Sequence, residues 1–298
     1  MSMTLVAGEV LFDIFEDGSH ILGGAPFNVA WHLHGLGLNP LLVSAVGDDI
    51  YGDEIRKSMQ AWGMNTEALQ TIQGYPTGTV QVGLQNGIPS FDIVKDVAYD
   101  FIENPQKLES QINTCKLMYH GSLALRSATS KKTILGLRKE ECLPVFVDVN
   151  LRAPYWDKNS IEEIINGADW VKLNDEELQL LSNKNSKDFD QSELVVNAQS
   201  FRNQHDIKVV IITRGKEGAF VVTESMIEHV PAAPVVEMVD TVGAGDGFSA
   251  MTIAGILQGW DYIKTLEAAS LFASKICGLR GAISKERAFY DDFMGEIG

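Results

Sequence analysis

Cysteines and cationic side chains are both scarce in this sequence. The three cysteines, Cys115, Cys142 and Cys277, lie far apart, with no Cys-x-x-Cys and no histidine pair at metal-ligand spacing. We therefore expect reduced, buried thiols rather than a disulfide framework or a zinc site. The 298 residues carry 24 Lys and Arg against 40 Asp and Glu, a formal net charge of −16. This balance argues against a nucleic-acid partner, because phosphate backbones are held mainly by Lys and Arg.

Long apolar runs are missing as well. No run approaches the roughly 18 residues that a membrane span requires, and the amino terminus lacks the basic start of a signal peptide. Hydrophobic residues make up 45% of the chain and charged residues 21%, which is typical of a globular protein. We therefore expect a cytoplasmic protein with no membrane partner.

Short apolar segments alternate with segments of helical period. The apolar segments are rich in β-branched residues and predict buried parallel strands at Leu41–Val46, Lys116–His120, Val145–Val149, Trp170–Leu173 and Val209–Thr213. Helices are predicted between them at Asn28–His34, Asp53–Trp62, Lys131–Glu141, Ile161–Asn166, Glu176–Leu181 and Glu193–Gln204, and over most of the chain from Ala244 onward. This alternation predicts an α/β fold, a three-layer α/β/α sandwich around a doubly wound, mostly parallel sheet.

Two segments interrupt that alternation and predict hairpins. Glu9–Ile14 and His20–Leu22 flank a Glu-Asp-Gly-Ser turn, and Thr77–Leu84 and Ser90–Val94 flank Asn86-Gly87, a strong hairpin signal. We interpret them as a small antiparallel lid, formed by approximately residues 9–24 and 74–99 and inserted in a single domain of residues 1–298. The alternative is an ordinary extension of the edge of the main sheet.

A glycine-rich turn at 240–248, Asp-Thr-Val-Gly-Ala-Gly-Asp-Gly-Phe, precedes an apolar helix. Small residues at a helix start let several backbone N–H groups converge on an anion. A carboxylate in such a turn would repel phosphate, so Asp246 makes sense as a general base that takes a proton from an attacking hydroxyl. A plain glycine-rich helix cap is the alternative.

Two other glycine-rich motifs fit the chain poorly. A dinucleotide-binding turn would need glycine where Phe248 stands and a place near the amino terminus, which disfavours an oxidoreductase. A Walker A loop would need Gly-Lys-Ser/Thr, whereas Gly215-Lys216 is followed by Glu217.

A second glycine motif, Gly23-Gly24-Ala-Pro-Phe-Asn28, opens a predicted helix. Paired glycines allow close approach to a ligand, and Asn28 offers a donor and an acceptor to a polyol. The alternative is that Asn28 only caps the helix.

These two motifs, in this order at opposite ends of the chain, resemble the two signatures of the ribokinase-like (PfkB) carbohydrate kinases. The resemblance covers essentially the whole chain and implies an ATP-dependent transfer of the γ-phosphoryl group to a primary hydroxyl of a sugar. It implies that Asp246 is the catalytic base and that the N–H groups of Gly243, Ala244 and Gly245 form the anion hole. This assignment agrees with the interpretation of the turn.

Further segments match the family one by one. Asp148-Val-Asn-Leu-Arg152 resembles a motif of fructokinase-like members, which implies that Arg152 neutralises charge beside the sugar and the transferred phosphate; a surface salt bridge is the alternative. Asn174-Asp-Glu-Glu177 matches the family's Asn-x-x-Glu, which implies nucleotide binding by Asn174 and Mg²⁺ binding by Glu177, through water. The same spacing is that of a helix capping box.

The remaining site residues rest on the resemblance alone. It implies sugar contacts by Asp13, Gly24 and Asn28, together with Arg152 and Asp246. It implies nucleotide contacts by Thr213, Gly215 and Gly218, together with Asn174, Gly243 and Gly245. A K⁺ site at Asp240 is also implied, although Ser284 stands where many members have proline. Phe27 is bulky for its position and is expected to affect the sugar pocket.

The sequence therefore predicts a sugar kinase that uses ATP and Mg²⁺, and K⁺ if Asp240 binds it. Fructose is the leading substrate because the glycine-pair, Asp-x-Asn-x-Arg and Asp96–Phe101 segments look most like fructokinases. Ribose, 2-keto-3-deoxygluconate and nucleosides are the alternatives within the family. A non-catalytic sugar- or nucleotide-binding sensor is the alternative of another class. Pairing of the lids across a homodimer is a further expectation.

Overall fold

The computed structural model describes residues 3–85, 88–140, 143–182, 191–235 and 237–298. In chain order the strands are β1 (Met3–Ala7), β2 (Leu11–Phe15), β3 (His20–Gly23), β4 (Asn39–Gly47), β5 (Leu69–Ile72), β6 (Gly78–Gln85), β7 (Ile88–Ile93), β8 (Cys115–His120), β9 (Val145–Asp148), β10 (Trp170–Asn174), β11 (Val209–Thr213), β12 (Ala219–Val222) and β13 (Ile227–Val230). The helices are α1 (Ala25–Gly35), α2 (Ile50–Trp62), α3 (Glu109–Ile112), α4 (Ala128–Glu140), α5 (Lys158–Ile165), α6 (Asp175–Leu181), α7 (Gln191–Gln204), α8 (Ala244–Gln258), α9 (Tyr262–Ile276) and α10 (Arg287–Ile297).

Nine of these strands form one large sheet in the order β13-β12-β11-β10-β9-β8-β1-β4-β5. Neighbours from β5 to β11 are parallel, and β12 and β13 pair antiparallel at one edge. The predicted α/β class and the mostly parallel sheet are confirmed. All five predicted strands belong to this sheet, whereas β1, β5, β12 and β13 were not predicted.

Helices cover both faces of the large sheet, because alternate strand residues point to opposite sides. Leu5 and Ala7 of β1 pack in the core beneath α3 to α7. Val6, between them, packs in the core with α1, α2 and α8 to α10. The three-layer arrangement therefore buries each central strand on both faces.

Most predicted helices begin two or three residues too late. For example, α1 begins at Ala25 and α2 at Ile50, three residues before the predicted starts. In α2 the cause is the cap, because the Asp49 side chain accepts a hydrogen bond from Gly52 N at 2.8 Å and the helix begins before its apolar period does. The period therefore marks the interior of the helix and not its first turn.

The two predicted hairpins form a separate lid sheet of four strands in the order β3-β2-β6-β7. Within each hairpin the strands are antiparallel, but the hairpins join through a parallel pair, β2 and β6, with Asp13 opposite Val80. The lid is therefore a second small sheet and not an extension of the main one. The predicted Asn86-Gly87 turn lies outside the described residues.

Two further observations bear on the sequence predictions. Over the described ranges, the helices are too short or too polar for any of them to cross a bilayer. Cys115 and Cys277 are buried, while Cys142 lies outside the described residues.

Candidate active site

A cavity of about 800 Å³ lies at the carboxyl ends of the central strands and is also lined by the lid sheet. In parallel α/β sheets, ligands bind at this edge. Eight of the predicted site residues line the cavity: Asp13, Gly24, Asn28, Arg152, Asp240, Gly243, Gly245 and Asp246. Residues more than 200 positions apart in the chain therefore meet around one space.

The glycine-rich turn forms the start of α8. Gly243 is the N-cap residue with φ of 80°, a left-handed conformation that glycine adopts without strain. A Cβ atom on Gly243 would lie 2.4 Å from the Cβ of Ala282. Both the backbone conformation and the close approach of the neighbouring loop therefore require glycine here.

The amides of this turn are mostly free to meet an anion. Ala244 N donates to Thr241 O at 3.3 Å, a long hydrogen bond, and Gly247 N donates to Gly243 O at 2.8 Å. Within the described chain, the N–H groups of Gly243 and Gly245 have no backbone acceptor. Free N–H groups at the positive end of a long helix are the donor set that phosphate requires.

Asp246 sits in the first turn of α8 and is half-buried. Asn28 Nδ2 donates to Asp246 Oδ2 at 2.8 Å, which fixes the orientation of the carboxylate. Burial raises the pKa of Asp246 to about 6, with Asp148 adding to the rise and Asn28, Lys172 and Arg152 opposing it. The side chain is therefore ionised at neutral pH yet close enough to neutrality to accept a proton.

Asn28 does not cap α1. The N-cap residue is Gly24, with φ of 105°, and Asn28 lies one turn inside the helix with its side chain 4% exposed. A Cβ on Gly24 would lie 2.8 Å from Glu9 O, so this glycine permits the close chain crossing under the cavity. The helix start thereby brings Asn28 to Asp246.

A buried ion pair beneath Asp246 was missed by the sequence analysis. Lys172 Nζ on β10 donates to both carboxylate oxygens of Asp148, at 3.0 and 2.8 Å. Ser249 Oγ on α8 donates to Asp148 Oδ2 at 2.7 Å. The charge of Lys172, in an otherwise apolar strand, was the available signal, because a lysine in a buried strand needs a partner. The pair fastens α8 to the sheet edge.

Arg152 is exposed and lines the cavity. Across the described ranges, no carboxylate lies within 4.0 Å of its guanidinium, so the predicted alternative of a surface salt bridge is not observed there. The loop that carries it is held from below, because Leu151 N donates to Glu177 Oε1 at 2.7 Å. An unpaired guanidinium facing a cavity is suited to bind an anionic group.

Asn174 and Glu177 form the predicted capping box of α6. Glu177 N donates to Asn174 Oδ1 at 2.8 Å, and Asn174 N donates to Glu177 Oε2 at 2.9 Å. Burial raises the pKa of Glu177 above its usual value. In the described part of the chain, no group of three or more potential metal ligands is present. Both carboxylate oxygens of Glu177 accept backbone N–H groups, one from Asn174 and one from Leu151 in the loop that carries Arg152.

Four of the predicted nucleotide-binding residues continue along the same sheet edge but do not line the cavity: Asn174, Thr213, Gly215 and Gly218. Thr213 ends β11 directly opposite Asn174 of β10. The turn after it includes Gly215 and Gly218, with φ of 50° and 93°, and a Cβ on Gly218 would lie 2.1 Å from Val230 O. Residues 215–217 of this turn are exposed, so the turn presents an open surface at the carboxyl edge of the sheet, which we call the ledge.

The lid contributes mainly apolar side chains to the cavity, and Asp13 is a charged exception. The lid residues that line it include Leu11, Phe15, Val80, Val82 and Phe91. Burial raises the pKa of Asp13 to about 6, and Arg152 lowers it. Phe27, which we expected near the sugar, is fully buried in the core and packs on Trp31 with ring centroids 5.6 Å apart.

Asp240 and the loop 281–284 border the turn on its outer side. Asp240 Oδ1 accepts from Val242 N at 3.1 Å. Ala282 O faces His32 Nε2 at 2.9 Å, and Trp31 Nε1 donates to Ser284 O at 2.8 Å. Two carbonyl groups of this loop are thus already hydrogen-bonded to α1, and a cation at Asp240 that used them would have to share them.

Comparison with known proteins places this geometry in a family. A model described as pfkB family carbohydrate kinase matches residues 12–288. A fructokinase of Klebsiella pneumoniae is 28% identical over 295 residues, which cover 94% of this chain and 93% of the relative.

Solved structures agree. An uncharacterized sugar kinase from Pyrococcus horikoshii is 28% identical, with a TM-score of 0.83 over 99% of this chain and 97% of that one. A fructokinase with bound ATP from Xylella fastidiosa shares the fold at 21% identity, with a TM-score of 0.85 over 99% and 98% of the two chains. This chain belongs to the pfkB family of carbohydrate kinases, phosphotransferases with an alcohol group as acceptor.

Proposed function

We propose that this sugar kinase transfers the γ-phosphoryl group of ATP to a primary hydroxyl of fructose. The observation that carries the proposal is the position of Asp246. Its carboxylate is held by Asn28 and stands beside two free amides at the start of α8. A proton acceptor and an anion site are thus adjacent in one cavity, and phosphoryl transfer needs little more than positioning and charge stabilisation.

The chemical step follows from these positions. Asp246 takes the proton of the sugar hydroxyl while the hydroxyl oxygen forms a bond to the γ-phosphorus. The bond from that phosphorus to the β–γ bridging oxygen breaks, and ADP leaves with the electron pair. The N–H groups of Gly243, Ala244 and Gly245, with Arg152, neutralise the charge that the phosphoryl oxygens carry during transfer.

The nucleotide would occupy the ledge beside the cavity. We propose contacts from Asn174, Thr213, Gly215 and Gly218, which follow one another along the sheet edge. Glu177 would hold Mg²⁺ through water, and the ion would neutralise phosphate charge when bound. For K⁺ we propose Asp240 as the carboxylate ligand.

The sugar would lie between the lid and the sheet edge. Asp13 from the lid and Asn28 and Gly24 from the start of α1 would contact its hydroxyls. Apolar side chains of the lid would cover the sugar and keep water away from the γ-phosphate, because hydrolysis competes with transfer. Fructose is favoured by the fructokinases among the relatives.

The test is a coupled ADP-release assay with fructose, ribose, 2-keto-3-deoxygluconate and a nucleoside, with phosphorus NMR of the product. Fructose should give the highest kcat/KM and a phosphomonoester on a primary carbon. A higher kcat/KM with another sugar would correct the substrate and leave the reaction class intact. Binding of sugar or nucleotide without ADP release would instead indicate a sensor. Sedimentation would test the proposed lid-paired homodimer.

A further inference from the structure

One carboxyl group of the cavity has no role in the mechanism above. Glu9 follows β1 at the carboxyl edge of the large sheet, lines the cavity, and is 4% exposed. Its Oε2 atom is buried and has no hydrogen-bond partner within the described chain. A buried carboxylate oxygen normally has a partner, so this atom lacks one that a ligand could provide.

The charges around Glu9 are strongly unbalanced. Arg152 and Asp246 both act on Glu9 electrostatically, and Glu9 acts in turn on the buried phenols of Tyr99 and Tyr119. Arg152 also acts electrostatically on Asp13 of the lid and lowers the pKa of that carboxyl group.

The second cation of the cavity is already paired. Lys172 is bound to Asp148, which leaves Arg152 as the cation of the described cavity lining that has no ion-pair partner. The carboxyl groups that line the same cavity without an ion-pair partner are those of Glu9, Asp13, Asp240 and Asp246. An anionic acceptor would therefore enter a site whose carboxylates outnumber its free cation.

On this basis, and resting on the proposed kinase function, we propose that Glu9 is a specificity-determining residue that selects uncharged sugars. Oε2 of Glu9 exchanges a hydrogen bond with a hydroxyl other than the one phosphorylated. A sugar acid places a carboxylate where this hydroxyl would be, and against the ionised form of Glu9 this removes the hydrogen bond and adds repulsion. Discrimination by both an unpaired polar group and a like charge is the ordinary route to specificity.

The selectivity should depend on pH. Burial raises the pKa of Glu9 to about 7, against lowering contributions from nearby backbone N–H groups and Arg152. Below that pH the group is neutral and can still exchange a hydrogen bond with a hydroxyl, and above it the group is an anion. Rejection of anionic acceptors should therefore strengthen between pH 6 and pH 8, while a sugar carboxylate stays ionised throughout.

The experiment compares kcat/KM for fructose and for 2-keto-3-deoxygluconate at pH 6, 7 and 8, in the wild type and in Glu9→Gln. In the wild type, the ratio of the acid to fructose should fall about tenfold across this range. In Glu9→Gln, only the ionisation of Asp13 and Asp246 near pH 6 remains to change the ratio. The ratio should therefore fall less than in the wild type between pH 7 and pH 8 and, at pH 8, should be about tenfold above the wild type. Glu224→Gln, which removes an exposed charge in the turn between β12 and β13, should follow the wild type.

Each possible result either supports or overturns the proposed role of Glu9. A wild-type ratio that is flat with pH, or that favours the sugar acid at pH 8, overturns the role of Glu9 while ADP release still establishes the kinase. This measurement needs no variant and so stands if Glu9→Gln fails to fold. A Glu9→Gln enzyme that keeps the wild-type pH dependence overturns it as well. Absence of ADP release with every sugar would contradict the proposed function itself.

Discussion

The carboxyl edge of the large sheet and the lid sheet line the same cavity, but their polar side chains are held very differently. At the sheet edge, Asp148 accepts from Lys172 and Ser249, and Asp246 accepts from Asn28. On the lid, Asp13 has no side-chain hydrogen bond within the described chain and faces Arg152 only electrostatically. The carboxyl groups of Asp148 and Asp246 are thus oriented by the protein itself, whereas that of Asp13, which we propose to contact the sugar, has no such partner in the described chain.

Substitution of Asp246, the proposed base at the sheet edge, should have the largest effect on kcat. Asp246→Asn keeps the size of the side chain but cannot accept the proton, so kcat should fall by about 10²–10⁴. Nucleotide affinity, measured by calorimetry with a non-hydrolysable analogue, should stay within about threefold of the wild type. Retained turnover in a correctly folded Asp246→Asn protein would refute the assignment.

The next largest effect should come from the anion turn. Gly243→Ala would strain a residue at φ of 80° and bring its Cβ to 2.4 Å from Ala282, so the amides should move and kcat should fall about a hundredfold.

Gly37→Ala is the matched control for that substitution. Gly37 has φ of 83° and open space around its Cβ, so it should lose about 1 kcal/mol of stability from backbone strain and retain full kcat. If both variants lost kcat equally, the effect at Gly243 would be general strain and not displacement of the anion site.

A substitution in the lid sheet should affect binding of the sugar rather than the transfer step. Asp13→Ala removes a carboxyl that no protein group holds, so KM for fructose should rise about tenfold while kcat changes little. Asp92→Ala, on an exposed position of the same lid sheet, serves as the control and should leave both constants unchanged. A fall in kcat with unchanged KM would place Asp13 among the transfer groups instead.

The fall in activity at low pH should reflect the raised pKa of Asp246 at the sheet edge. Because Asp246 must be ionised to act as base, and its pKa is raised to about 6, kcat/KM for fructose should decline below about pH 6 rather than below pH 4. A loss of about tenfold per pH unit is expected well below the pKa. Full activity at pH 4.5 in a folded enzyme would contradict this environment for Asp246.

The smallest effect should be that of the monovalent cation. Ala282 O and Ser284 O already accept hydrogen bonds from α1, so replacing K⁺ by choline should change kcat by less than about threefold. Stimulation by K⁺ beyond tenfold would show that the cation, and not α1, sets this loop. Steady-state rates at constant ionic strength distinguish the two outcomes.

The sequence was most informative where a residue type strongly favours one local structure. β-Branched runs predicted five of the parallel strands, and the two glycine motifs predicted turns that in the structure adopt left-handed backbone conformations at Gly24 and Gly243. Strands such as β5 and β13 are short and partly exposed at the edges of the sheet, so their sequences carry no continuous apolar run. Their assignment depends on neighbours that the sequence does not reveal.

The unpredicted parts of the site are pairings between distant segments. Glu9 and Lys172 each stand in an apolar segment, and the cost of burying a charge was a usable signal that each has a partner or a task. The identity of those partners depends on strand order, which local patterns do not specify. The parallel junction between β2 and β6 eluded prediction for the same reason, because a hairpin signal describes only its own two strands.

The bond between Asn28 and Asp246 joins residues 218 positions apart in the chain. The ribosome must therefore synthesise most of the polypeptide before Asn28 can hold Asp246. Until Asp246 has been added to the growing chain, the carboxylate that we propose as base is absent, and the proposed transfer cannot take place.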